Sequence, residues 1–333
     1  MKNTTGEEAD MRRIGLALLT FIALLVVVLI FGPREPVDGD YAFDPTVLGA
    51  DVDAYLAKAE APYNDITPGV QKQVIWADPE TKARTPLSIV YLHGFSATAA
   101  EIRPVPDLVA DALGANLHYT RLTGHGRGGE AMGEATVADW RRDLREALAV
   151  GRAIGDRVVV IGTSTGATLI TLDLHAPDVR EGLAGVAMVA PNFRIASPAA
   201  QVLTLPLVRY WGPALFGADR SFEASNEAHG TYWTTRYPTV ATMPLGALVA
   251  ASNSQEFGAL KVPALFYFSD EDQVIDQSRT REIAEAWGAA STIRTVTLEP
   301  GDDPLSHVIA GEIMSPSQTD SATQALLDWI EGL

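Results

Sequence analysis

From residue 70 onward, short apolar runs alternate with stretches of helical periodicity, and this alternation restricts the fold more than any other feature. The runs are Gln73–Trp76, Leu87–Leu92, Asn116–Leu122, Arg157–Ile161, Gly185–Ala190, Ala264–Phe268 and Thr292–Leu298. Several of them (SIVYL, VVVI, VAMVA, ALFYF) are apolar almost throughout, as strands covered on both faces are. Between them, residues 137–151 place Val137, Trp140, Leu144, Ala147 and Leu148 on one stripe, and Thr136 with Asp139 opens that helix as a capping box. A second helix is expected over Ser278–Trp287, stopping at Gly288. Such alternation predicts an α/β fold with a mostly parallel central sheet flanked by helices. Residues 191–261 break the pattern. They are rich in Pro and aromatic residues, show no clear strand, and are too long for a structureless loop. An inserted, mainly helical cap is expected there, leaving a core of 70–190 and 262–333.

The N-terminus is of another kind. Residues 14–33 carry no charge and include IGLALLTFIALLVVVLIF, roughly 30 Å of helix and enough to cross a bilayer core. Arg12 and Arg13 precede this run, while Arg34 is the only nearby cation after it. The bias predicts a cytoplasmic tail over 1–13, a transmembrane anchor over 14–33, and the remainder on the non-cytoplasmic side, periplasm or cell surface in a bacterium. A cleaved signal is the competing reading; the run is long for one, and the exit VLIFGPREP lacks a small-x-small cleavage site. Residues 34–69, rich in Pro, Gly and Asp, suit a linker with one short helix over Asp51–Glu60.

Composition excludes several functions. The 333 residues hold 25 Lys and Arg against 42 Asp and Glu, a formal net charge of −17, so no cationic excess is available for nucleic-acid phosphates. With 47% hydrophobic residues the chain can bury a full core. The absence of cysteine rules out disulfides, thiolate metal sites and a Cys nucleophile. The six histidines are scattered without metal-ligand spacing, so a structural zinc site is not expected, and the serine chemistry read below needs neither a metal nor an organic cofactor.

Chemistry concentrates at the ends of the apolar runs. Gly162-Thr163-Ser164-Thr165-Gly166 follows the run RVVVI and opens the helix-like ATLITLDLH. That is the setting of a nucleophile elbow: a serine on a strained strand-to-helix turn, with glycines where side chains would collide and helix N–H groups behind it. His93-Gly94-Phe95 follows the run LSIVYL, so the backbone N–H groups of Phe95 and Thr165 are the expected oxyanion donors. His93 precedes the serine in the chain and is expected to brace the loop. Four acids follow the run ALFYF, namely Asp270, Glu271, Asp272 and Asp276, any of which could orient an imidazole. His307 lies in the loop after the last run. Serine, acid and histidine thus stand in the chain order of one fold class, each near a strand's C-terminal end.

Over residues 70–333 the chain resembles the α/β-hydrolase superfamily, closest to the branch of monoacylglycerol lipases, lysophospholipases and serine aminopeptidase-like hydrolases, and it is similar also to small bacterial carboxylesterases. Beyond GTSTG and HGF the likeness includes Leu122-Thr123-Gly124-His125-Gly126 and a following Trp140 and Asp143. In that branch the G-H-G histidine is a turn residue. The branch's acid lies in G-x-x-D-x-V-V; the match with Ser269 to Ile275 selects Asp272. Thr163, Thr165 and Ala167 depart from the common residues around the serine. The resemblance implies a triad of Ser164, Asp272 and His307 acting on carboxylic esters, lipid-like or monoacyl, with apolar cap residues such as Trp211, Phe216, Phe222 and Trp233 forming either an acyl pocket or the cap's own core. A peptidase or amidase of the aminopeptidase-like type is the alternative, and a non-catalytic binding protein a more distant one.

Overall fold

The computed structural model describes residues 4–333. The first described element is α1 (Thr4–Phe31), whose Met11–Phe31 portion is long and apolar enough to cross a membrane and has no residue buried in the rest of the protein. Helix α2 (Val52–Glu60) follows. Then come β1 (Gln73–Ile75), β2 (Thr85–Leu92), α3 (Val105–Leu113), β3 (Asn116–Tyr119), α4 (Gly129–Glu134), α5 (Val137–Ile154), β4 (Gly155–Thr163), α6 (Thr165–Asp173), α7 (Pro177–Arg180) and β5 (Leu183–Val189). The next stretch holds α8 (Val208–Phe216), β6 (Asp219–Ser221), α9 (Glu227–Tyr232), β7 (Arg236–Pro238) and α10 (Thr242–Ser252). The chain closes with β8 (Ala264–Phe268), α11 (Gln277–Ala286), β9 (Ser291–Thr295) and α12 (Thr319–Ile330).

Seven strands form one sheet in the order β1-β3-β2-β4-β5-β8-β9, parallel except for β1 against β3. Apolar runs become central strands because both faces are covered. In β4, Val158 and Val160 enter one core cluster, while Val159 and Ile161 enter the other, and all four are fully buried. Strand β8 divides likewise: Ala264, Phe266 and Phe268 face one layer, Leu265 and Tyr267 the opposite one. The period of two in a pleated strand makes a continuous apolar run the right pattern for this position. The capping box at Thr136 and Asp139 is formed, and α5 buries Val137, Trp140, Leu144, Ala147 and Leu148.

Several boundaries differ from the sequence reading. Strand β3 ends at Tyr119, not Leu122, because the chain turns there into the Thr123–Gly126 bend. Helix α11 stops at Ala286. Gly288 is needed for close approach and not as a left-handed cap, since a Cβ there would strike the Gly258 carbonyl. Helices α3 and α12 were not anticipated. Segment 191–261 contains helices and, against expectation, a small antiparallel pair, β6 with β7.

Residues 34–69, expected as a linker, pack onto the core. Leu48, Val52 and Leu56 bury against Ala149, Val150 and Ile154 of α5. The Tyr41 ring covers the Arg141 guanidinium at 3.6 Å. Glu60 forms a two-point ion pair with Arg121, both contacts 2.8 Å and both side chains under a tenth exposed. This packing is why α5 also buries Arg141, Arg145 and Glu146, residues its amphipathic pattern assigns to solvent. Glu60→Ala leaves the Arg121 charge buried without its partner and is expected to cost about 3–5 kcal/mol. Urea unfolding measures it; an unchanged midpoint would mean the segment is a solvated linker after all.

Candidate active site

Ser164 caps the C-terminal end of β4 at φ +49° and ψ −108°, an outlier conformation for a residue with a side chain. The flanking glycines allow it. A Cβ on Gly166 would collide with the Leu92 carbonyl, and one on Gly162 would lie 2.8 Å from the Ala167 nitrogen. The Ser164 N–H donates to Val189 of β5 at 2.8 Å, tying the elbow to the neighbouring strand.

The structure brings three distant side chains together. His307 Nε2 lies 3.1 Å from Ser164 Oγ, and His307 Nδ1 lies 2.7 Å from Asp272 Oδ2. Asp272 Oδ1 accepts the Val274 and Ile275 N–H groups at 2.8 and 3.0 Å, and the side chain is fully buried. The other acids of that loop are engaged elsewhere. Asp270 pairs with Arg281, Asp276 caps α11 and pairs with Arg194, and Glu271 is exposed. Burial alone pushes the His307 imidazole down; the Asp272 hydrogen bond and charge, with Glu101 and Asp303 behind them, outweigh it and leave it above its ordinary 6.5.

The Phe95 loop is braced from below. His93 Nδ1 faces the Gly94 carbonyl at 2.9 Å, and its Nε2 accepts the Leu122 N–H at 3.0 Å. With both nitrogens occupied, and with burial holding the ring neutral, His93 is a strut. The His125 ring lies against His93, Phe95 and Trp140. Asp143 accepts the Thr123 N–H and Trp140 donates to the Thr123 carbonyl, so the turn and the W-x-x-D helix fix each other beneath Phe95. Thr165 opens α6, so its N–H has no partner within the helix. The Phe95 N–H donates to no protein acceptor among the described residues.

Three site residues escape the sequence reading. Glu101 Oε2 accepts the Gly94 N–H at 2.7 Å and the Tyr91 hydroxyl at 3.0 Å; burial pushes its carboxyl up to about 7. Asn192 donates to Thr165 Oγ1 at 2.7 Å. Asp303 Oδ2 accepts the His307 and Val308 N–H groups at 3.0 and 2.8 Å, holding the histidine loop. Only Asp303 had a local signal, an acid in a turn just ahead of a loop histidine. Ser164 and His307 face a cavity of about 550 Å³ walled by Phe95, Leu203, Phe216, Phe222, Trp233 and Tyr237, among others. Among the described residues no cluster of His, Asp or Glu is arranged to hold a metal ion.

An open, mostly parallel sheet with a serine elbow at its centre defines an α/β protein whose site gathers at the strands' C-terminal ends. Residues 89–311 match the alpha/beta hydrolase family, and the chain belongs to it. It is 29% identical over 203 residues to the thermostable monoacylglycerol lipase of Bacillus sp. (strain H-257), spanning 60% of this chain and 76% of that one. Among solved structures, one from the metagenome-derived lipolytic enzymes LipS and LipT superposes with TM-score 0.64 at 20% identity, covering 80% of this chain and 100% of that one. A soluble variant of monoglyceride lipase from Saccharomyces cerevisiae superposes with TM-score 0.58 at 12% identity, covering 79% and 90%.

The His307 ring titration, followed by NMR, is expected to have its midpoint above 6.5. In Asp272→Asn burial acts without the opposing carboxylate, so the midpoint should fall below that of the parent protein. An unmoved midpoint would mean Asp272 does not face the ring in solution.

Proposed function

We propose that the protein is a membrane-anchored serine hydrolase of carboxylic esters, with lipid-like monoacyl esters as its substrate class. The observation that carries this reading is the hydrogen-bonded series Ser164–His307–Asp272 at the wall of an apolar cavity. The lipase and esterase names of its relatives point to the same reaction.

In this reading Ser164 Oγ attacks the ester carbonyl while His307 Nε2 takes its proton. Asp272 holds the imidazole in the tautomer with hydrogen on Nδ1 and stabilises the imidazolium that forms. The N–H groups of Phe95 and Thr165 receive the oxyanion, each such donor being worth roughly 3 kcal/mol in the transition state. His307 then protonates the departing alcohol. Water, activated by the same imidazole, releases the acid from Ser164. General base help contributes about 10²-fold to 10⁴-fold. Hydroxyl, imidazole, carboxylate and two N–H groups supply every step, so the reading calls on no cofactor.

The anchor is read from Met11–Phe31, 21 residues none of which is buried in the rest of the protein. Arg12 and Arg13 at its start favour a cytoplasmic N-terminus, with the hydrolase domain beyond the membrane and residues 191–261 as its cap.

The purified protein is expected to turn over p-nitrophenyl acyl esters faster than aminoacyl-anilides. Ser164→Ala should lower ester turnover by roughly a thousandfold or more, and Asp272→Asn by about 10³ to 10⁴. Faster anilide turnover would make it an amidase; undiminished turnover in Ser164→Ala would move the nucleophile elsewhere.

A further inference from the structure

The end of the apolar helix and segment 191–261 are joined directly. A Cβ on Gly32 would lie 2.8 Å from the Pro206 Cβ. The Leu207 N–H donates to the Pro33 carbonyl at 2.8 Å, and Arg34 Nε donates to the Thr204 carbonyl at 3.1 Å. Arg209 grips Glu35 at two points, with Nε to Oε2 at 2.9 Å, and the Glu35 side chain is only 4% exposed. Residues 204–209 therefore sit where the chain leaves the helix. The family match covers residues 89–311 and so does not include residues 32–35.

Two apolar features lead away from this junction. Helix α8 starts at Val208 and leaves Tyr210 80% and Leu215 66% exposed, both within roughly 12 Å of Leu207 along its axis. A groove of about 800 Å³ is lined by Leu203, Thr204, Leu205, Leu245 and Val249, among others. Ile195, Ala200, Leu203 and Leu245 line this groove and also the cavity over Ser164. The groove that reaches residues 204 and 205 thus lies against the cavity over Ser164, the two sharing these four wall residues.

We propose that this groove admits the acyl chain of a bilayer-resident monoacyl ester to Ser164, and that the junction of residues 32–35 with 204–209 holds its mouth against the membrane. The inference rests on the anchored ester-hydrolase reading. A single acyl chain leaving a bilayer is disfavoured by each methylene it brings into water, and an apolar path that starts at the membrane surface avoids that exposure. Exposed Tyr210 and Leu215 beside the helix exit fit the same surface: an aromatic and an aliphatic side chain at the level where apolar and polar regions meet. A small water-soluble ester needs neither the groove nor its orientation.

The test uses the full chain reconstituted in phosphatidylcholine vesicles. One substrate is a long-chain monoacylglycerol carried in the vesicles, the other p-nitrophenyl acetate in water. Glu35→Arg and Arg209→Glu should each lower turnover of the vesicle substrate about tenfold while acetate turnover stays within about twofold. The double variant Glu35→Arg with Arg209→Glu rebuilds the pair in reverse and should restore most of the loss. Val249→Trp, which fills the groove, should shorten the longest acyl chain turned over. Equal losses on both substrates, unchanged vesicle turnover in the single variants, no restoration in the double variant, or an unaltered chain-length profile in Val249→Trp would each overturn the inference. Absence of acetate turnover in the parent protein would instead overturn the ester reading beneath it.

Discussion

Ser164 is held in a backbone conformation that an ordinary side chain avoids, at a cost of about 1–3 kcal/mol. The sheet supplies what offsets it. Strand β4 lies between β2 and β5, and the Ser164 N–H is captured by Val189 of β5. The Ser164 carbonyl in turn accepts the Thr168 N–H in α6. These bonds leave the elbow one direction in which to point its side chain. The cavity, the histidine loop and the Phe95 loop are all arranged about that point. A slip of β4 against β5 by one residue would exchange its buried faces and remove the elbow's partner together.

The histidine's surroundings follow from the same economy of backbone bonds. Asp303 fixes the loop through two N–H groups, and Asp272 is fixed by two more from its own turn. The Asp272 hydrogen bond and charge, with smaller contributions from Glu101 and Asp303, outweigh a burial that would otherwise push the imidazole toward its neutral form. Such a field favours the protonated form of the imidazole. Glu101 also joins the two halves of the site. It binds the Gly94 N–H ahead of Phe95 and the Tyr91 hydroxyl, which lies 3.1 Å from Thr163 Oγ1 beside the elbow.

What the sequence revealed depends on how local each signal is. Ser164 and His307 are legible because a strand, a small-residue turn and a helix start are written in consecutive residues, and chain order does the rest. Asp272 needed the family resemblance, since the choice among four acids depends on which one the loop turns inward. Glu101 and Asn192 were invisible because their partners, Tyr91 and Thr165, lie 10 and 27 residues away. Helix α12 was missed although its signal is local: Ala322, Ala325, Leu326, Trp329 and Ile330 form a helical stripe, and all are buried. Residues 34–69 misled because Pro, Gly and Asp read as solvated chain, whereas their order comes from partners such as Arg121, 61 residues beyond Glu60.

The architecture links two ends of the molecule, an apolar helix that meets residues 204–209 and a serine at the centre of the sheet. The claim that unites them is that Ser164 is made nucleophilic by His307. Mass mapping of the adduct left by a fluorophosphonate probe tests it most directly. The account predicts a single modified peptide containing Ser164, formed rapidly in the parent protein and lost or greatly slowed in His307→Ala. An adduct on another residue, or one that forms at Ser164 equally fast without the imidazole, would contradict it.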